Sequence, residues 1–415
     1  MSPGGLTPWP TYHGDLQRSG MGASGTAPAG LLTAVTVALD GAVYAAPIVA
    51  GQVVIVATEN DSVYGLSASG GLLWKVHLGS PTPRSNLPCG DIDPLGITGT
   101  PFYDNSDGTV FLVASLGAAA DHVLFALDPD TGAVRWHSSV DLPGVDPTAM
   151  QQRGALTVTG GRVWVPFGGL FGDCGNYRGQ LVGVPVGNGA PEAFTVPTSR
   201  EGGIWAPPGP SVIDGDLLVA VGNGQSTDGG YDYSDSVLRV HGTMMIDSFS
   251  PTSWVTDNAS DLDLGSQGPA LVQGRWVFQA GKSGTGYVLH AATLGGIGGQ
   301  VSSSQLCRSF GGTAVDGDVV FVPCVDGLRA ITITSDGRIQ LQWKADPTVT
   351  GSPVIAGGWV YALDPPDGIL DVLDAASGHL VQSIQVGAVT RFATPAISGG
   401  HLYVGTLRGL TVLSG

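Results

Sequence analysis

Apolar residues occur along this chain in short runs of four to seven, as in VVIV (Val53 to Val56) and LLVAV (Leu217 to Val221), bounded by Gly, Asp and Pro. That pattern predicts many short β-strands joined by tight turns. No stretch keeps a helical 3.6-residue period over three turns, and none reaches the ~18 to 20 apolar residues needed to cross a membrane. The expected fold is therefore soluble and almost entirely β, without a transmembrane segment.

One pattern returns every ~40 to 50 residues, the period of a propeller blade. Pro47 to Leu78, Thr100 to Val140 and Ser352 to Val386 are its cleanest copies, and weaker ones begin near Ala155, Pro210, Pro269 and Gly312. The last copy, TPAISGGHLYVGTLRGLTVLSG, holds only three strands. A four-stranded blade needs one more, and Leu31 to Leu39 stands where an outer strand would precede the first inner one. This predicts an all-β, eight-bladed β-propeller of four-stranded antiparallel blades, closed by an N-terminal outer strand that leaves no open edge. Residues 1–30, with WPTYHGDLQRSG (Trp9 to Gly20), are expected to pack on it as an arm, and residues 31–415 to form one domain.

Composition sharpens this picture. The 66 glycines and 28 prolines suit a turn-rich chain, and 17 Lys and Arg against 34 Asp and Glu leave a formal charge of −17, which repels nucleic acid. Four cysteines without CxxC spacing predict two disulfides rather than a zinc site, hence an extracellular or periplasmic chain. The N-terminus shows no basic and apolar signal region, which suits a mature secreted chain and a cytosolic protein equally. A monomer is expected.

The run LDPDTGAVRW (Leu127 to Trp136), its variant ending at Trp74 and the WPTYHGDLQRSG arm resemble the quinoprotein-type, or PQQ-like, propeller superfamily. That superfamily includes quinoprotein alcohol dehydrogenases, polyvinyl alcohol dehydrogenases and a non-catalytic outer-membrane assembly lipoprotein. In its enzymes PQQ lies on a tryptophan at the axis with calcium beside it, since a planar electron-poor ring favours an aromatic face and a hard cation favours oxygen ligands. Trp205 and Asn223, 18 residues apart, resemble the floor tryptophan and metal-binding asparagine. GGYDYSDSVLRV (Gly229 to Val240) resembles the segment carrying the catalytic base, with Asp232 the first candidate and Asp235 the second. Lys282 in QAGKSGTGYVLHA resembles the lysine that touches the quinone. GGLFGDCGNYRGQLVGV (Gly168 to Val184) resembles the segment with a metal-binding glutamate and an RG pair, so Asp173 and Arg178 become metal and cofactor candidates, with Asp232 a third metal ligand.

The chain also departs from the enzymes. It has no vicinal cysteine pair, at best a shorter Asp for the metal carboxylate, and no CxxCH haem motif. Each candidate has a plain structural reading beside the chemical one: Trp205 as packing between blades, Asn223, Asp232 and Asp235 as turn residues, and Lys282 as a solvated loop lysine. DNASDLDLGSQGP (Asp257 to Pro269) is oxygen-rich but lacks EF-hand spacing and reads as a hydrogen-bonded turn. Cys307 and Cys324 flank one strand segment and are expected to pair. Cys89 and Cys174, in loops opening the second and third blades, are expected to form a cross-blade bridge near the mouth, with a redox or capping role left open. No GxSxG, HExxH, P-loop or strand-borne GxGxxG motif appears. The resemblance implies alcohol oxidation with PQQ and calcium. The alternative is a binding or scaffold propeller whose face loops hold an extracellular protein or glycan.

Overall fold

A computed structural model describes residues 5–228 and 230–415. Met1 to Gly4 of the expected arm, and Gly229 at the start of the GGYDY segment, lie outside the described residues. The strands form eight sheets in sequence order, six of them four-stranded and two extended to five, as the repeat predicts. The first blade shows the scheme: Ile48–Ala50 lies innermost, followed outward by Val53–Ala57, Ser62–Leu66 and Leu72–His77. Its three inner strands are buried throughout, while the outer strand alternates between exposed and half-buried positions. That gradient explains the sequence: inner strands packed on both faces read as continuous apolar runs, and only the outermost strand alternates. The eighth blade is completed by Thr33–Ala38, which pairs antiparallel with Gly409–Ser414 across the chain ends.

The repeated tryptophan and the DPDTG turn form one device. Asp128 Oδ1 accepts the backbone N–H groups of Asp130 and Thr131 and the Thr131 hydroxyl, which ties the turn. Trp74 of the first blade then lies against Gly132 of the second blade's turn, where a Cβ would come within 2.4 Å of the indole, and its Nε1 donates to Pro129 O at 2.9 Å. Trp343 repeats the contact on the turn of the seventh blade, donating to Ala375 O at 3.0 Å. These tryptophans fasten neighbouring blades.

The N-terminal segment runs through the axis. It exchanges backbone hydrogen bonds with the inner strands of several blades, through Trp9 with Val49, Leu16 with Val212, Ser19 with Val315 and Gly20 with Ile355. Arg18 is only 3% exposed and donates to Leu156 O, Thr157 Oγ1 and Pro210 O. Burial lowers the pKa of His13 to about 3, and its ring nitrogens lie 3.0 Å from Thr313 O and Thr394 Oγ1. One end of the axis is therefore filled by chain. The loops within blades (second to third strand) and the connections between blades gather at the other end.

Candidate functional site

The repeat register aims eight equivalent residues at that end of the axis. Tyr44, Thr98, Arg153, Pro207, Ser266, Phe310, Thr350 and Phe392 each stand four residues before an inner strand. Five of them, Tyr44, Thr98, Arg153, Pro207 and Phe392, line a narrow axial cavity whose floor is Tyr12 of the arm. The Arg153 guanidinium lies 5.1 Å from the Phe392 ring centre, and Arg391 stacks on Phe310 at 3.7 Å. Burial and the nearby Arg308 lower the pKa of Arg391. On a chain of net charge −17, this cluster of guanidiniums favours an anionic visitor.

Across the axis stand four of the residues expected from the sequence. Trp205 is half-buried in the connection entering the fourth blade, with Phe392 edge-on at 6.3 Å. Its neighbourhood depends on two glycines: a Cβ at Gly168 would lie 2.8 Å from Trp205 Cβ, and one at Gly222 would lie 2.9 Å from Trp205 Nε1 and 2.7 Å from Asp263 Oδ1. Asn223 follows directly, and its backbone N–H donates to Asp263 Oδ1 at 2.6 Å while its Nδ2 donates to Asp261 Oδ1 at 3.1 Å. Lys282, in the next blade, places its ammonium 2.6 Å from Asp263 Oδ2, 2.7 Å from Asp261 Oδ1 and 5.8 Å from the Trp205 ring centre. Burial works against the charge on Lys282, but the two aspartates outweigh it and its pKa is raised. Asp235 is fully buried one layer deeper, where it accepts the Leu264 N–H at 2.9 Å. Burial, reinforced by Asp263, pushes its carboxyl well above the usual range, an environment suited to a neutral acid rather than a base.

The remaining expected residues do not join this group. Asp232 accepts the hydroxyls of Thr198 and Ser234 and the backbone N–H groups of Ser226 and Ser234, which is the turn role. Asp173 is exposed and bonded to the Tyr177 hydroxyl, and Arg178 is exposed on the rim. Asp173 lies in the loop tied by the disulfide Cys89–Cys174, and the other bridge is Cys307–Cys324; both pairings are those expected. Asp261 and Asp263 are the residues that sequence reasoning passed over, in the loop taken for a simple turn.

A second buried acid pair lies beside the cavity. Glu59 accepts the Gly96 N–H at 2.7 Å and the Thr98 hydroxyl at 3.1 Å. Burial raises its pKa to about 7, and burial together with Glu59 raises that of Asp61 to about 9.

The family model described as outer membrane protein assembly factor BamB matches residues 96–227 and 284–415, well over half of the sequence. The chain belongs to that BamB family. Its fold is similar to BamB from Moraxella catarrhalis, at 18% identity and TM-score 0.63, covering 92% of this chain and 99% of that one. It is also similar to the quinohemoprotein alcohol dehydrogenase of Comamonas testosteroni, at 16% identity and TM-score 0.72, covering 98% of this chain and 80% of that one. A europium-containing methanol dehydrogenase gives 13% identity and TM-score 0.74, covering 98% and 97%. No curated protein matches the sequence. At these identities the likeness shows the quinoprotein-like propeller fold, which this BamB-family chain shares with dehydrogenases and with a protein assembly factor alike.

Of the two groups that the resemblance implies, the donor set suits one. A flat anion suits the aromatic face of Trp205, which has the Lys282 ammonium 5.8 Å from its ring centre and, through its edge-on neighbour Phe392, the guanidiniums of Arg153 and Arg391 one ring away. Calcium does not fit. Asp173 and Asp232 are committed elsewhere, and the ammonium of Lys282 already compensates Asp261 and Asp263. No cluster of three or more His, Cys, Asp or Glu side chains able to hold a metal occurs among the described residues.

Proposed function

We propose that this BamB-family propeller is a small-molecule-binding protein whose axial mouth takes a planar, anionic cofactor of the PQQ class and oxidises an alcohol. The observation that carries the reading is the convergence on Gly222, where a Cβ would lie 2.9 Å from the Trp205 indole nitrogen and 2.7 Å from the Asp263 carboxylate, so that both side chains close on one backbone position. When bound, PQQ would accept the hydrogen and electron pair of the substrate's C–H bond. Trp205 would support the ring face, and Lys282, held between Asp261 and Asp263, would keep its ammonium beside that face. Asp263, whose pKa burial raises and which is oriented by the Asn223 N–H and Lys282, would take the hydroxyl proton at its carboxylate in the role first assigned to Asp232. Two disulfides support an extracellular or periplasmic location. Dye-linked oxidation of a panel of alcohols by the PQQ-loaded protein tests this: turnover lost in Asp263→Asn at unchanged PQQ binding supports it, and binding without any turnover refutes the enzymatic part.

A second reading follows from the family itself. Phe171, 69% exposed on the disulfide-tied loop, is a large aromatic side chain open to solvent and suits a scaffold that holds an extracellular protein or glycan partner. Capture of a partner by the wild type but not by Phe171→Ser would favour it.

A further inference from the structure

We infer that the Lys282 ammonium takes the cation position of this axial site, and that Lys282 thereby blocks a latent metal site made by Asp261, Asp263 and Asn223. Only the charge balance of the pocket is involved, so this holds whether or not PQQ binds. Asp263 is nearly buried, with 8% of its side chain exposed, and its Lys282 partner is 14% exposed. A buried carboxylate needs compensation, and a lysine ammonium is a compact hard charge with several donors. It reaches the buried Asp263 at 2.6 Å and Asp261, whose side chain is 70% exposed, at 2.7 Å, so a buried and a solvated carboxylate share one cation. The asparagine is turned to match: its Nδ2 faces Asp261, while its Oδ1 is buried with no donor among the described residues. With the ammonium removed, the two carboxylates that it bridges would be left without their cation, beside an asparagine whose amide could turn its unpaired oxygen toward them, and oxygen donors of that kind are what a hard cation takes. Sequence position hides this, because Lys282 and the two aspartates lie on opposite sides of an inner strand pair and meet only in the folded blade.

Terbium titration reads the site directly, since the Trp205 indole is close enough to sensitise a lanthanide bound there. The wild type is expected to give no Trp205-dependent terbium emission, and its unfolding midpoint should be the same in millimolar calcium as in chelator. Lys282→Met should give saturable emission that disappears when Trp205→Phe or Asp261→Asn is added. It should bind terbium at least ~10-fold more tightly than the wild type, in line with the dependence of such sites on ligand charge, and calcium should raise its midpoint. Lys282→Gln, which keeps N–H donors for the carboxylates, serves the same arm if the methionine variant does not fold. Trp205-dependent terbium binding with calcium stabilisation in the wild type would overturn the inference. So would a folded Lys282 variant that binds terbium no better than the wild type. All readouts are made without PQQ, so the outcome is the same test whether or not the protein binds that cofactor.

Discussion

Lys282 and Asp263 meet at 2.6 Å, Nζ to Oδ2, with only a small part of either side chain exposed. Removing one partner of such a pair leaves the other charge buried and uncompensated. Lys282→Met is therefore expected to cost about 3–5 kcal/mol of unfolding free energy without added metal. Adding Asp263→Asn should return most of that loss. Urea unfolding of the two single variants and the double variant measures the coupling, and simple additivity would show that the pair is not a unit.

The acid pair beside the cavity sets a pH dependence. Glu59 and Asp61 titrate from about 7 and about 9 in the folded protein, against 4.5 and 3.8 for ordinary carboxyls. The folded state thus keeps protons that the unfolded chain releases. The stability tied to them is complete below about pH 4 and is lost as pH rises through 7 and then 9. Each group contributes a slope of up to ~1.4 kcal/mol per pH unit over its interval. Glu59→Gln with Asp61→Asn should flatten the fall, as read by urea midpoints from pH 5 to 9. An unchanged slope would remove these carboxyls as its source.

The arm has its own test. Arg18 satisfies acceptors from Leu156, Thr157 and Pro210 while nearly fully buried. Arg18→Met should destabilise by ~3 kcal/mol or more, because those acceptors lose a charged donor where no solvent reaches them. Protease cleavage in the first residues should quicken at the same time, and a variant as stable as the parent would mean that the axis closes without the arm.

The bridge Cys307–Cys324 closes a loop with a sequence separation of 17. Replacing both cysteines by serine should cost ~3 kcal/mol, the loop-entropy scale for that length. Trp205-dependent terbium emission should stay absent and PQQ affinity should stay as in the parent, because the bridge belongs to the fifth and sixth blades' packing and not to the Trp205 group.

The architecture was legible because each blade repeats one amphipathic plan: buried inner strands read as apolar runs, and the short final copy demanded a strand from the other end. Trp205, Asn223 and Lys282 were legible as a series on consecutive blade tops. Asp263 was not, since three aspartates within one loop carry the same local signature as a capped turn. Asp232 misled for the matching reason: YDYSDS has the composition of a site loop, yet the Asp232 carboxylate ties Thr198, Ser226 and Ser234 into one turn. Arg153 and Phe392 come from the second and seventh blades' exits and meet only once the ring has closed. Their signal was available in the repeat register, four residues before each inner strand, but it emerges only when the eight copies are laid over one another.

The most direct measurement is calorimetric titration of the protein with PQQ in the presence of chelator, for the wild type and Trp205→Ala. A single saturable site of micromolar affinity is expected in the wild type, abolished by the alanine and untouched by the chelator. No heat of binding with the wild type, or the same affinity in Trp205→Ala, would contradict the claim that this axial mouth is built to hold a flat anionic ring.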